Sequence, residues 1–420
     1  MKFAEQASLN NGGAKASFVA FPHPIQGVGK DGAYKKAEEA WPDLLKAATE
    51  WTPPASDPNA LKQDAAYPAA TFTFKGTTTE VSQMFYDKGW SEGIPITPPT
   101  PEKVAAMLKG TTRKPNEVIW EVPPRKGQLT VELVATYAVM AGCKPSYMPV
   151  LLAAVDAMKD PDLNYNGPTT STHPSGVLVV VNGPIAKKIG LVSGRGAAGG
   201  GYQANSSIGY ALSLITDIVG DSRPQTNDQS TLGWAGNMIA TVVAENVDES
   251  PWEPFSTTRG FSKDDNVVSV FLGGPPANIK DQSAVDSVGI LKVFADTVNY
   301  AGQNTTCAID KDVVLLICPQ YAEKFTAEGF DREKVKAWLW ENAREPAGKT
   351  FPDKCDQCAS KSLNTKVDND TMVPTVSNPD HFQIIVVGGA GAHAQYWPGY
   401  SSWLLPNTIN KTMVSVKVKE

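Results

Sequence analysis

The chain has 420 residues, a formal net charge of -6 and a pI of about 5.4. Hydrophobic residues make up 41% and charged residues 20%, which is typical of a globular chain with an ample core and excludes a disordered one. The acidic balance and the lack of Lys and Arg runs argue against a nucleic-acid partner, and the length predicts two to three packing units.

No apolar run reaches the roughly 18 residues that a membrane span requires. The polar residues 1–15 contain no apolar stretch of the kind found in signal peptides. Five Cys residues are a sparse and odd number, which argues against a secreted disulfide framework. We therefore expect a cytoplasmic protein with no membrane partner.

Residues 1–78 are rich in Pro, Gly and Ala, with one helical stretch over 35–50. We interpret this region as an N-terminal arm that wraps the body or a neighbouring subunit of a homo-oligomer. A flexible tail is the alternative interpretation.

Residues 79–280 form the first predicted α/β half. Thr100 and Pro101 have the residue types of a helix cap and a first helical turn, so a helix is expected to start there. The continuous apolar run 177–182 predicts a strand buried on both faces. The pattern predicts further helices at 80–89, 130–141, 149–158 and 206–219, and further strands at 238–245 and 267–272.

Residues 281–420 form the second predicted half, with helices at 285–300 and 333–344 and strands at 313–318 and 384–387. A weak internal duplication is suggested because residues 135–142 resemble residues 295–302. In each half a predicted strand, 177–182 or 313–318, is followed closely by a proline, Pro184 or Pro319. Each half also contains a later Gly-Gly pair, at 273–274 and at 388–389. We therefore predict an α/β fold of two weakly related halves, with buried strands, Gly-rich loops and a ligand site in the cleft between the halves.

Cys143 is the first candidate for chemistry, because it follows a predicted helix end and precedes Lys144. A neighbouring cation favours the thiolate and is expected to lower the pKa of the thiol. Cys143 would then serve as a nucleophile, a redox thiol or a metal ligand. A small buried apolar residue is the alternative.

His173 and His393 are candidates for acid–base chemistry, because each lies in a loop that borders a predicted buried strand. His173 lies in a hydroxyl-rich loop before the strand 177–182, and His393 follows a glycine loop after the last strand. His23 and His381 lack such a context and are expected to be structural.

The most glycine-dense segment is 193–201, which contains Arg195. Its backbone N–H groups precede a predicted helix, an arrangement that can bind a carboxylate or phosphate. Arg195 would add a bidentate contact to that anion. The segment matches neither the Walker A pattern nor the dinucleotide fingerprint, so neither nucleotide class is predicted. A mobile lid or linker is the alternative.

Glu245 ends a predicted buried strand, where a carboxylate is costly unless it is paired or used. With Cys143 and one or both of His173 and His393 it would form a Cys–His–acid set. With the two histidines it would instead supply the ligands of a divalent transition metal. Trp252 would wall the pocket. A surface turn is the alternative for this segment.

Cys355 and Cys358 form a C-x-x-C pair. A structural zinc site needs two more ligands, and no second C-x-x-C occurs in the chain. A redox switch or half of a shared metal site remains open for this pair.

Several segments together resemble a known family: 89–101, 121–125, 138–145, 181–186, 250–254 and the glycine loop 386–393. The resemblance is to bacterial proteins associated with small proteins named for a selenocysteine-Gly-Ser-Cys (UGSC) motif or its cysteine form. It covers most of residues 80–400 and implies thiol or selenol redox chemistry, or cleavage of a carbon–heteroatom bond. This chain contains no Cys-Gly-Ser-Cys, so a thiol partner would be another protein or the Cys355 and Cys358 pair.

The leading hypothesis is an enzyme that cleaves or reduces a carbon–heteroatom bond in a small, anionic molecule, with Cys143, His173, His393 and Glu245 as its catalytic groups. One alternative is a metal-dependent hydrolase or lyase with His173, His393 and Glu245 as ligands, and another is a non-catalytic subunit of a larger complex. The residues expected to contact substrate are Arg125, Arg195, Asn182, Gly183, Asn205, Gly388, Gly389 and Trp252.

Overall fold

The computed structural model describes residues 19–23, 28–52, 67–224, 226–300, 302, 309–350, 363, 365–400 and 413–419. The C-x-x-C pair Cys355 and Cys358 lies outside these residues. Among the helices of the described residues, none is long and apolar enough to cross a membrane.

The helices of the described chain alternate with its strands over most of the length, which makes this an α/β fold. The helices are α1 Gly29–Glu50, α2 Thr78–Asp87, α3 Pro101–Leu108, α4 Val131–Met140, α5 Met148–Met158, α6 Pro184–Lys188, α7 Gln203–Leu214, α8 Ala235–Met238, α9 Phe255–Thr258, α10 Ser287–Val298, α11 Pro319–Ala327, α12 Arg332–Asn342 and α13 Ala347–Thr350. Helix α7 continues directly into a π-helical turn, Ile215–Val219.

The strands include all the long apolar runs that the sequence pattern singled out. They are β1 Val118–Val122, β2 Gly127–Thr130, β3 Gly176–Asn182, β4 Thr241–Ala244, β5 Val267–Gly273, β6 Ala277–Lys280, β7 Val313–Ile317, β8 Arg344–Pro346, β9 Met372–Pro374, β10 Phe382–Val386, β11 His393–Trp397 and β12 Met413–Lys417. The strand expected at 238–245 is shorter than predicted, because residues 235–238 form helix α8.

Local sequence explains where the helices begin. Thr100 accepts a hydrogen bond from the backbone N–H of Lys103, and Pro101 occupies the first helical position, as predicted. Thr77 and Glu80 form a reciprocal capping box at the start of α2. These caps satisfy backbone N–H groups that have no partner inside the helix.

Two four-stranded sheets form the centre of the molecule, with strand orders β12-β5-β3-β4 and β10-β7-β11-β6. In the first sheet β3 pairs with β4 in parallel and with β5 antiparallel. In the second sheet β7 pairs with β10 in parallel and with β11 antiparallel. The two sheets therefore share one pattern of strand directions.

The shared pattern corrects one detail of the predicted duplication. Gly273 ends β5, which is antiparallel to β3, whereas Gly388 follows β10, which is parallel to β7. The two Gly-Gly pairs therefore do not occupy corresponding places. By strand direction β10 corresponds to β4, and β11 corresponds to β5.

Each sheet takes its outer strand from the other part of the chain. Strand β6 follows β5 but pairs with β11 of the second sheet, and β12 follows β11 but pairs with β5 of the first sheet. The predicted segments 79–280 and 281–420 therefore exchange one strand each. The boundary at 280 separates β6 from the residues that follow it, although β6 belongs to the second sheet.

The sheets pack face to face, with helices covering their outer faces. Leu178 and Val180 of β3 share an apolar cluster with Val314 and Leu316 of β7. The alternate residues of β3 face the cluster that contains α4, α5 and α7, and those of β7 face the cluster that contains α10, α11 and α12. Both central strands are buried on two faces, which is why they read as continuous apolar runs.

Candidate active site

The candidate site is a cavity of about 1010 Å³ whose lining residues all lie between Tyr86 and Leu272. It lies beside the beginning of β3, since Gly176 and Val177 line it. The sequence predicted a site in the cleft between the two halves, but an apolar cluster joins β3 of the first half to β7 of the second. The cavity therefore belongs to the first sheet and to the helices that cover it.

Two irregular segments bring polar groups into this cavity. The connection between α2 and α3 crosses it at Gly89 to Ile94, and the π-helical turn contributes Asp217. The turn is held by the hairpin β1–β2, because the backbone N–H of Arg125 donates to the carbonyl of Gly220. π-Helical turns are rare and occur often at functional sites.

Glu92 and Asp217 form a hydrogen-bonded pair of carboxyl groups on the wall of the cavity. Burial, the hydrogen bond to Glu92 and the charge of Glu92 hold the pKa of Asp217 well above its ordinary value of 3.8. Two carboxylates in contact cannot both ionise readily, so the pair shares one proton. Asp217 is therefore the member of the pair whose protonated form is favoured by its surroundings.

Thr216, Tyr165 and Asp228 also line the cavity and interact with Asp217. The hydroxyl of Thr216 donates to the carbonyl of Ser213 and lies 3.3 Å from Oδ1 of Asp217. Burial raises the pKa of Tyr165, and the charges of Asp217 and Asp228 raise it further. Asp228 also lines the cavity and contributes to the raised pKa of Asp217.

Arg223 is the one cationic side chain among the described residues that line the cavity. Its Nη2 donates to Asp221 Oδ1 over 2.8 Å, so a carboxylate already balances its charge. The guanidinium lies against Gly89, where an added Cβ would come within 2.9 Å of Nη1. Gly89 has a φ of +68°, so this position favours glycine for its backbone as well as for its size.

Several buried polar atoms of the lining lack hydrogen-bond partners within the described chain: Ser91 Oγ, Arg223 Nε and Trp234 Nε1. The carboxylate oxygen Oε2 of Glu92 is also buried, and no N–H or hydroxyl group of the described chain donates a hydrogen bond to it. Buried polar atoms are almost always paired in native proteins, and an unpaired one costs about 1–3 kcal/mol. Their concentration around one cavity points to a ligand that completes them.

His173 lies one hydrogen bond away from this cavity. Its Nδ1 is 2.7 Å from Ser175 Oγ, and Ser175 is a lining residue. Burial lowers the pKa of His173 to about 4, so the ring is neutral at pH 7. Among the histidines singled out from the sequence, His173 is therefore the one placed to act on the cavity, by orienting Ser175.

Cys143 does not have the lowered pKa that the sequence suggested. Lys144 is exposed, and burial raises the pKa of the Cys143 thiol to about 12 although Ser207 opposes this effect. Cys143 packs against the apolar cluster of α4, α5 and α7 and is absent from the cavity lining. The geometry favours the alternative interpretation, a small apolar residue.

Glu245 lies at the end of β4 in a buried ion pair. Its Oε1 is 3.3 Å from Nη2 of Arg332, and its Oε2 accepts hydrogen bonds from Asn182 and from the backbone N–H of Phe255. The Arg332 guanidinium stacks on the ring of Trp252 at 5.3 Å. Glu245, Asn182 and Trp252 thus belong to one buried network that joins the first sheet to α12, and none of them lines the cavity.

Asn205 and Gly183 have structural contacts of their own. Asn205 pairs with the backbone N–H and carbonyl of Val192 and donates to the carbonyl of Val242. Gly183 has a φ of +91° and lies so close to Asp265 that a Cβ would come within 2.4 Å of its carbonyl oxygen. Neither residue lines the cavity.

The glycine-rich segment 193–201 and the glycine loop 386–393 contact each other, and neither lines the cavity. The backbone N–H of Gly388 donates to the carbonyl of Ser193, and Gly389 packs against Arg195. His393 is exposed, and its Nδ1 is 3.1 Å from Asn278 Oδ1. The side chains of Arg195 and Arg125 are also exposed and are absent from the cavity lining.

The structure does not bring the proposed metal ligands His173, His393 and Glu245 together. Each has separate partners: Ser175 for His173, Asn278 for His393, and the network of Asn182, Phe255 and Arg332 for Glu245. Across the described part of the chain, no group of three or more His, Cys, Asp or Glu side chains is arranged to hold a metal ion.

Sequence reasoning missed Glu92 and Asp217. A usable signal existed for Asp217, because it is the one charged residue of the helical run 203–219. A charge in an apolar, buried helix is costly unless it is used or paired. Glu92 lies in the segment 89–101 that carries the family resemblance, but its spacing alone identifies no chemistry.

The sequence was compared with protein-family models and with curated proteins. No protein-family model matches the chain. No curated protein matches it either. The resemblance to the UGSC-associated family therefore stays a prediction.

Proposed function

We propose that the protein is an enzyme that hydrolyses a carbon–heteroatom bond in a small molecule by general acid–base catalysis. The observation that carries the proposal is the hydrogen-bonded pair of Glu92 and Asp217 on the wall of a 1010 Å³ cavity. The size and the mixed apolar and polar lining of the cavity suit a small molecule.

The two carboxyl groups have different tasks in this reaction. Glu92 accepts a proton from a water molecule, whose oxygen then attacks the electrophilic carbon of the substrate. The bond between that carbon and the heteroatom breaks, and the heteroatom keeps the electron pair and takes the proton of Asp217. Water and substrate are thereby converted into an alcohol or acid and a protonated leaving group.

Contact between the carboxyl groups resets the enzyme. After the reaction Glu92 holds the proton that came from water, while Asp217 has lost its own. Their hydrogen bond lets the proton pass directly from Glu92 to Asp217, whose raised pKa favours the protonated form. The chemistry thus needs no metal, oxidant or thiol, and Cys143 has no part in it.

The carboxyl separation also bears on the reaction class. Glycosidases with two catalytic carboxylates hold them about 5–9.5 Å apart, because a sugar or a water lies between them. Carboxyls in mutual contact instead resemble the dyad in which one proton is shared, which activates water against a carbonyl group. Amides and esters are therefore the first substrates to test.

The test compares three variants on panels of small amides and esters in water labelled with heavy oxygen. Mass spectrometry detects products that have gained the label. Asp217→Asn and Glu92→Gln should each lower turnover by about 10²–10⁴-fold, the usual contribution of a general acid or base. Asp264→Asn, an exposed carboxylate outside the cavity, is the matched control and should keep full turnover.

Circular dichroism of each variant checks that the fold is retained. Full turnover by folded Asp217→Asn would reject the acid–base role. If the wild-type chain produces no labelled product from any panel, hydrolysis of amides and esters is rejected as its function.

A further inference from the structure

The charge of the cavity selects among small molecules. Among the described residues, four acidic ones line it, Asp87, Glu92, Asp217 and Asp228, against a single cationic one, Arg223. The charge of Arg223 is already balanced, because Asp221 lies 2.8 Å from its guanidinium. Even with one proton shared between Glu92 and Asp217, the lining carries net negative charge.

Neighbouring groups respond to this negative charge. The charge of Glu92 adds to the burial that raises the pKa of Tyr210, and Asp217 and Asp228 act in the same direction on Tyr165. A negative potential in a partly enclosed, low-dielectric site attracts a cation much more strongly than the same charges would in water. An anionic substrate, which the sequence suggested, would be repelled.

The cavity also has hydrogen-bonding groups and aromatic walls for a ligand. Ser91 is 2% exposed, and its hydroxyl has no partner within the described residues. The indole N–H of Trp234 is likewise unpartnered there. Tyr86, Tyr165 and Trp234 present aromatic rings, whose faces attract a nearby ammonium group.

We propose that the substrate carries a protonated amine, which the carboxylates of the cavity bind while the aromatic side chains enclose its apolar part. The idea rests on the proposed hydrolysis, because it names the substrate of the same cavity. Asp228 is the carboxylate best placed to show this role, since the hydrolytic steps do not use it. Its Oδ1 accepts a hydrogen bond from the backbone N–H of Ser230, which fixes the side chain.

The binding test uses three probes with one skeleton and different charges: tryptamine, tryptophol and indole-3-acetate. Isothermal titration calorimetry on the full chain at pH 7 measures their dissociation constants. Tryptamine should bind at least about tenfold more tightly than tryptophol, and indole-3-acetate should bind most weakly, as expected for a cavity of negative potential.

Asp228→Asn should weaken tryptamine binding about five- to tenfold and leave tryptophol binding unchanged. Asp264→Asn is the matched control and should change neither. Equal binding of the three probes, preferred binding of indole-3-acetate, or no tryptamine binding at millimolar concentration would each overturn the inference. A preference for indole-3-acetate that disappears in Arg223→Gln would identify the cavity as an anion site.

These outcomes are separable from the proposed function. If tryptamine is preferred but folded Asp217→Asn keeps its turnover, the amine-binding inference stands and the acid–base mechanism fails. If Asp217→Asn is inactive but the probes show no preference for the amine, the mechanism stands and the substrate class is wrong.

Discussion

The buried ion pair between Glu245 and Arg332 should be essential for stability although it has no place in the proposed reaction. The Glu245 side chain is fully buried, and the Arg332 side chain is 6% exposed. Arg332→Met removes the one cation of the pair and leaves Glu245 with hydrogen bonds from Asn182 and Phe255 only. The methionine keeps most of the apolar contact with Trp252.

The size of the effect follows from what is left behind. Burial already raises the pKa of Glu245 although Arg332 and the hydrogen bonds oppose it. Removing one member of a buried pair typically costs about 3–5 kcal/mol, because the other charge stays buried without compensation. The variant also loses the donation from Arg332 Nη1 to the carbonyl of Glu253, so we expect the upper part of that range.

The double variant Glu245→Gln/Arg332→Met gives the sharper test. It removes the buried charge altogether, so it should be more stable than Arg332→Met alone. Urea denaturation followed by circular dichroism measures the shifts. Lys187→Met, which breaks an exposed ion pair with Asp248, is the control and should cause no clear change.

Two results would refute this reasoning. One is a loss below about 1 kcal/mol in Arg332→Met, which would mean that the ion pair contributes no more than an exposed one. The other is a double variant whose loss of unfolding free energy equals the sum of the losses in Arg332→Met and Glu245→Gln measured separately. Independent sites are additive in this way, whereas contacting charges are not.

Two further predictions concern groups whose pKa values depart from the ordinary. The folded protein retains a proton on Asp217 that the unfolded chain releases above its ordinary pKa of 3.8, so this residue costs stability as pH rises from there through the raised folded pKa. The melting temperature of Asp217→Asn should therefore gain on the wild type between pH 4 and pH 8; a gap that stays constant with pH would contradict the shared proton. Cys143, with a pKa of about 12, should be about one part in ten thousand thiolate at pH 8. Peptide mapping after iodoacetamide treatment should show slow labelling of Cys143 in the folded chain and fast labelling in urea, and rapid labelling of the folded chain would show that the thiol is activated.

Local and periodic features of the sequence were sufficient to predict much of the secondary structure. The start of α3 follows from Thr100 and Pro101, whose capping and φ restriction act within one turn. The apolar run of β3 marks a strand buried on both faces, and the structure confirms this between α helices and the second sheet. Such signals depend on neighbouring residues or on a simple period, so one sequence contains them.

The pairing of strands and the composition of the cavity depended on contacts between distant residues. Nothing in the sequence pattern of β6 indicates that it pairs with β11 of the second sheet, or in that of β12 that it pairs with β5 of the first. Edge pairing is decided by which backbone groups meet after folding. The sequence singles out the scarce residues Cys143 and His393, yet burial raises the pKa of the Cys143 thiol, and His393 is exposed beside Asn278.

The sequence by itself determined the α/β class, the helix starts and the buried central strands, since these follow from hydrophobic period and capping. Only the tertiary structure decided the site, because a carboxyl group becomes an acid or a base through its surroundings. Glu92 lies in an irregular connection and Asp217 in a π-helical turn, and the roles proposed for them depend on folding, which places the two carboxyl groups side by side. Burial and mutual repulsion are properties of the folded neighbourhood, and no residue carries them alone.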